Sequence, residues 1–287
     1  MERNRRLGYD FIKFQPRATC FAEAFGNVYQ PSGHRLKGPI LQSHAVNQLE
    51  DWGGLQLVNP AALDDQVESL RLVCAEVGPE VPVIQTVFSP ISVAGYLVGK
   101  DYRRAARELR RNPELVMPAL ERVGQVLGDF AQRSVAAGAA GVFYAISGGY
   151  ASSKMMPREV YDRLLLPLDQ SILTALPEAA WFNVLHICGS HIYLDVARQL
   201  PVHVASWSTH NQGNPGLREG QELTGKPVMG GLGQRTTVLR GSPAAIMAEV
   251  RAAVAETGGR GVLVAPGCSV PPMARESNLK AISEAQN

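Results

Sequence analysis

The sequence predicts an α/β fold, and within that class a TIM-type (β/α) barrel rather than a doubly wound sheet. Seven short apolar runs alternate along the 287 residues with longer stretches of helical period. The runs are mostly apolar rather than alternating, which suits strands covered on both faces of a parallel sheet. No G-x-G-x-x-G follows the first run, where a dinucleotide-binding sheet would place it.

The strand candidates, in order, are DFIKF (10–14), PVIQTVF (82–88), GVFYAIS (141–147), WFNVLHIC (181–188), HVASWST (203–209), KPVMGGL (226–232) and GVLVAPG (261–267). From Asp64, the positions Val67, Leu70, Val73, Cys74 and Val77 keep helical spacing and stop at Gly78. Asn112-Pro113 is a good cap and first-turn pair, and the stripe Val116, Leu120, Val123, Leu127, Phe130, Val135 runs from it to Gly138. Pro157 precedes a helix with Val160, Leu164, Leu168 and Ile172 inward, which Pro167 should kink. Ser242-Pro243 opens another, with Ile246, Val250 and Val254 inward and Gly258-Gly259 at its end. Residues 26–60 break the pattern: rich in turn formers and without a sustained period, they read as a long excursion within one domain spanning 1–287.

Apolar residues make up 45% of the chain and charged residues 19%, a globular composition with a formal net charge of +2. Arg103, Arg104, Arg107, Arg110 and Arg111 are spaced as one solvated helix face. With no aromatic residues interleaved and a near-neutral total, they argue against a nucleic-acid partner. No apolar run approaches bilayer length and the N-terminus lacks a signal-peptide core, so the expectation is no membrane and a cytoplasmic location. Four scattered cysteines do not make a disulfide framework. Cys20 and Cys74 read as small core residues.

The other two cysteines are different. In LHICG (185–189), His186 and Cys188 are two apart on a strand and so share a face. On their own they are as well explained by a buried core pair as by ligation. Cys268, however, ends the last strand candidate, and a closed ring of parallel strands would bring it beside them at the C-terminal face where barrel enzymes keep their chemistry. Three N/S ligands with no obvious fourth is the arrangement of a catalytic zinc, whose open position takes water or substrate.

Most of the sequence resembles the uroporphyrinogen decarboxylase superfamily, and within it the zinc-dependent, corrinoid-linked methylcobamide:thiol (coenzyme M type) methyltransferases. The matching stretches are YDFIKFQPRATCFAEAFG, FSPISVAGYLVG, AAGAAGVFYAISGGYASSKMMPREVYDRLLLP, NVLHICGSHIYLDVARQL, GKPVMGGL and VLVAPGCSVPPMARESNLKAISEA. The resemblance implies that the H-x-C-G motif and the cysteine of the late P-G-C motif bind one zinc, which maps to His186, Cys188 and Cys268. The chain lacks the early M-R-Q-A-G-R motif by which the porphyrin decarboxylases grip substrate carboxylates. It also departs from the methyltransferase pattern, with Ser147-Gly148-Gly149-Tyr150 where an acidic residue is usual and Ser206-Trp207-Ser208 where an aspartate is common.

The activity so implied is transfer of a methyl group from a methylcorrinoid such as methylcobalamin to a small-molecule thiol. The zinc would hold the acceptor as a thiolate, since a coordinating metal deprotonates a thiol outright. The expected partner is a corrinoid-binding protein. The alternatives are a decarboxylase of the porphyrin type and a non-catalytic partner subunit of a corrinoid methyltransferase system. Gln85, Ser147, Tyr150 and Asn183 lie at or beside strand candidates and are expected to position substrate. Seven strands are one short of a closed barrel. The expectation is an irregular barrel lacking its N-terminal strand, its gap covered by the 26–60 excursion, with LQLVN (55–59) the most strand-like part, or by a second subunit in a homo-oligomer.

Overall fold

In the computed structural model, which describes residues 6–34 and 37–285, all seven apolar runs are strands. The first is β1 (Ile12–Phe14). The excursion then folds a small antiparallel hairpin of its own, β2 (Val28–Gln30) and β3 (Ile40–Ser43). The chain returns to the main sheet with β4 (Val83–Phe88), β5 (Gly141–Ile146), β6 (Val184–Ile187), β7 (Val204–Ser206), β8 (Val228–Leu232) and β9 (Val262–Pro266). Every pairing among these seven strands is parallel and the order is that of the sequence, β1-β4-β5-β6-β7-β8-β9. The sheet curls into an incomplete TIM-type barrel. β4 to β6 are buried at every position because helices cover the outside and side chains fill the inside.

The helices between the strands start and stop where local chemistry dictates. α1 (Ala61–Val77) ends at Gly78, whose φ of 72° suits a residue without a Cβ. α2 (Pro90–Leu97) begins at Ser89, whose hydroxyl accepts from the Ser92 amide. α3 (Tyr102–Arg111) carries the arginine face, and α4 (Pro113–Ala136) turns its predicted stripe inward, with Val116, Leu120, Val123, Leu127 and Phe130 all buried. The helix expected to kink at Pro167 widens instead into a π turn over Tyr161–Leu165 before continuing as α5 (Leu166–Thr174). Proline has no amide hydrogen to give, and the wider turn absorbs the lost bond.

That turn helps to place a buried carboxyl. Asp169 accepts hydrogen bonds from the Tyr144 hydroxyl at 2.6 Å and the Tyr161 hydroxyl at 2.9 Å, on the outer side of β5. Burial raises its pKa from the ordinary 3.8 to about 7, against the opposing pull of the two tyrosine donors.

The excursion does not do what its sequence suggests. Residues 55–59 form no strand; the Val58 and Asn59 amides donate to Ala24 O, and Arg122 of α4 clamps the Trp52 and Leu55 carbonyls. The hairpin lies over the end of α2, where Asn27 Nδ2 donates to Tyr96 O and the Val46 amide to Leu97 O. Val46, Trp52 and Leu55 join the main core, while Val28, Ile40, Leu57 and Val58 stay exposed, and among the described residues no segment of 26–60 pairs with β1 or β9. A seam therefore remains between the first and last strands. At its foot, Leu7 packs with Leu279 and Ile282 of the final helix α6 (Glu276–Glu284), and the Tyr9 hydroxyl donates to Leu279 O.

Candidate metal centre

Strand register decides which side chains can meet. His186 lies opposite Ala145 on one side and Ser206 on the other, so all three face the same way. Phe143, two residues before Ala145, shares that face and stacks on the His186 ring, with centroids 5.2 Å apart at 27°. This is the interior of the barrel. Cys188 follows β6 at its C-terminal end, where its amide donates to Ile146 O. Cys268 follows β9 at the same end. Gly267 brings it close: a Cβ at position 267 would lie 2.6 Å from Ser208 Cα, so only glycine lets the two loops approach this far.

A ring nitrogen of His186 and the Sγ atoms of Cys188 and Cys268 lie within 4.8 Å of one another. His186 is 4% exposed, and its Nδ1 is 3.2 Å from Ser206 Oγ. With an Nδ1 proton donated to the serine, Nε2 keeps a free lone pair. Nε2 is buried and has no hydrogen-bond partner. An unpartnered buried acceptor beside two sulfurs is costly unless something else engages it, and an imidazole with two thiolates is the donor set of zinc. Among the described residues no fourth His, Cys, Asp or Glu joins the cluster.

The electrostatics agree. Of the two coupled sulfurs, Cys268 is drawn towards the thiolate, chiefly by its interaction with Cys188 and despite its burial. Cys188 moves the other way, because it keeps the shared proton against the charge of Cys268 and is itself buried. A metal ion would replace that proton and draw both sulfurs into the thiolate form.

The structure places the four expected substrate residues differently. Ser147 and Tyr150 lie at the mouth, just past β5. The Ser147 amide donates to Ser92 Oγ at 2.7 Å, while Tyr150 is buried, edge-on to Tyr102, with no partner for its hydroxyl. Tyr102 packs edge-on to Tyr96 in turn, so the three rings form one aromatic row at the mouth. Gln85 and Asn183 are elsewhere. Gln85 is opposite Val142, whereas its neighbour Thr86 is opposite Phe143; Gln85 therefore points away from the barrel interior. Asn183 sits at the foot of the barrel, accepting from the Val142 amide and donating to Ala180 O, a fastening between strands at the end opposite the cysteines. His203 is also structural, its Nδ1 accepting from the Asn183 amide.

Two residues that the sequence did not single out flank the centre through His186 and Phe143. Ser206 orients His186. Lys13, the one basic residue in DFIKF, lies half-buried with Nζ 4.4 Å above the Phe143 ring. A lysine inside an otherwise apolar strand was the available signal.

A parallel barrel with a histidine and two cysteines converging at its C-terminal mouth is an enzyme-type scaffold whose three donors could hold a metal ion. The chain belongs to the uroporphyrinogen decarboxylase (URO-D) family, which it matches over residues 1–287. It is 23% identical over 292 residues to the methylcobamide:CoM methyltransferase MtbA of Methanosarcina acetivorans, across 97% of this chain and 79% of that protein. It is 29% identical over 226 residues to the methylcobamide:CoM methyltransferase MtaA of Methanosarcina barkeri, across 77% of this chain and 62% of that protein. A solved methyltransferase from Methanosarcina mazei shares the fold with a TM-score of 0.81 at 24% identity, over 99% of this chain and 82% of the other. No helix among the described residues is long and apolar enough to cross a membrane.

Ser206→Ala should weaken metal binding by about 10–100-fold, since the partner that fixes the ring of a metal-binding histidine typically matters that much. Competition with a chromophoric chelator measures it. Unchanged affinity would mean that packing against Phe143 orients the ring without the serine.

Proposed function

We propose that this chain is a zinc-dependent methyltransferase that moves a methyl group from a methylcorrinoid to a thiol. The observation that carries this reading is the convergence of His186, Cys188 and Cys268, three donors and no fourth among the described residues, in a chain related to methylcobamide:CoM methyltransferases. These three residues would hold the metal. When bound, zinc supplies a position at which a thiol loses its proton and becomes a nucleophile at neutral pH.

The protein's own groups prepare that position. Ser206 Oγ engages Nδ1 of His186 and leaves Nε2 as the ring nitrogen without a protein partner. The Phe143 ring stacked on His186 covers one side of the imidazole, which strengthens the electrostatic interactions there. No general base is needed beyond the metal ligands. The methyl donor approaches from the open C-terminal mouth, and a corrinoid carried on a separate protein suits that entry.

The test is metal analysis of the purified protein together with methyl transfer from methylcobalamin to a panel of thiols. The expected result is one zinc per chain and thiol-dependent loss of the methyl–cobalt bond. Stoichiometric zinc without transfer to any thiol would overturn the methyltransferase reading, and a chain that binds no zinc would overturn the metal centre.

A further inference from the structure

We infer that Lys13 is a positioning residue for the metal centre, its positive charge balancing the negative charge that gathers there when a thiol binds. This rests on the function proposed above.

The geometry is specific. Lys13 is opposite Ile84, which shares a face with Thr86 and, through Thr86, with Phe143. The lysine thus points into the barrel. Its Nζ lies over Phe143 at 4.4 Å, and Phe143 in turn stacks on His186, so cation, phenyl ring and imidazole form one pile. Gln15 Oε1 accepts from Nζ at 2.7 Å and holds it there. Among the described residues β1 and β9 share no backbone hydrogen bond, so the lysine stands at the edge of the sheet that borders the seam.

A buried cation costs free energy unless an opposite charge compensates it. Charge counting shows when that compensation is greatest. A divalent zinc with a neutral imidazole and two thiolates is neutral overall. A third thiolate, from the acceptor, leaves one uncompensated negative charge in a site bordered by the Phe143 ring. The Lys13 ammonium is placed to neutralise it. Its effect falls on the acceptor sulfur and not on retention of the metal, because the metal with its three protein ligands is already balanced.

The experiment compares wild type with Lys13→Met, Lys13→Gln and Lys13→Arg, all loaded with cobalt(II) in place of zinc. Bound metal is measured directly, and thiol affinity is read from the sulfur-to-cobalt charge-transfer band on titration with mercaptoethanol, which is neutral, and mercaptopropionate, which is acidic. The expected result is equal metal content in all four proteins. Affinity for both thiols should be about ten- to a hundredfold weaker in the Met and Gln variants and largely restored in the Arg variant. The Gln variant keeps the comparison intact if the Met variant does not fold. If the neutral variants bind mercaptoethanol as tightly as wild type, the inference is wrong. Loss confined to mercaptopropionate also overturns it, since Lys13 would then be gripping the acidic tail. If wild type itself holds no metal or no thiol, the proposed function fails and the inference falls with it.

Discussion

Cys268→Ala should strip the metal from the protein while leaving the barrel folded. The substitution removes one of three ligands from a site where no fourth, among the described residues, can take its place. Affinity should fall by at least about two orders of magnitude, more than a change to a supporting residue causes. The side chain is only partly buried and lies beyond the end of β9, outside the apolar core, so the fold does not depend on it. Circular dichroism should be unchanged, and methyl transfer should drop to the rate of free methylcobalamin with thiol. Equal zinc retention in the variant would show that the assignment of Cys268 is wrong.

The second large effect is on stability. Asp169 has a folded-state pKa of about 7, above its ordinary 3.8. A carboxyl whose pKa is raised by folding holds its proton more tightly in the native state. Its contribution is therefore complete below about pH 4, is lost progressively as pH rises to 7, and is flat above that. The span amounts to roughly 2–4 kcal/mol. An asparagine in its place would be neutral throughout, able to accept from one tyrosine and donate to the other. Asp169→Asn should therefore flatten the decline between pH 4 and 7 and make the protein more stable than wild type at pH 8. Urea unfolding at pH 5 and pH 8 measures it. Parallel pH profiles in the two proteins would show that the carboxyl is ionised in its cage at neutral pH, contrary to the argument.

The strands were legible because burial on both faces leaves little room for polar residues, and an apolar run survives without any knowledge of the fold. The proposed ligands were legible for a related reason. A soft side chain at the C-terminal end of such a run has a fixed address in a parallel barrel, and three of them were visible as His186, Cys188 and Cys268. Which face a residue occupies was not legible, because it depends on register between strands. Gln85 and Thr86 are adjacent and both polar, yet only Thr86 points inward. Asn183 was misplaced because it borders a strand, and only the structure shows that it borders the foot. Ser206 lay in a segment notable for lacking an aspartate; its hydrogen bond to His186 becomes visible only once β6 and β7 are paired. The excursion was opaque because its contacts with α2 and α4 are far away in sequence.

The order of the strands has a temporal meaning. Each strand of the main sheet bonds to the one that came before it, so the sheet can grow from β1 to β9 as the polypeptide lengthens, with no strand waiting for a distant partner. His186 and Cys188 are ready once β6 is laid down, but Cys268 arrives only after β9. Metal can therefore reach its full ligand set only on an almost finished chain. In refolding, the ion should act as a late clasp that fastens the final strand to the middle of the sheet. Adding zinc should slow unfolding far more than it speeds folding.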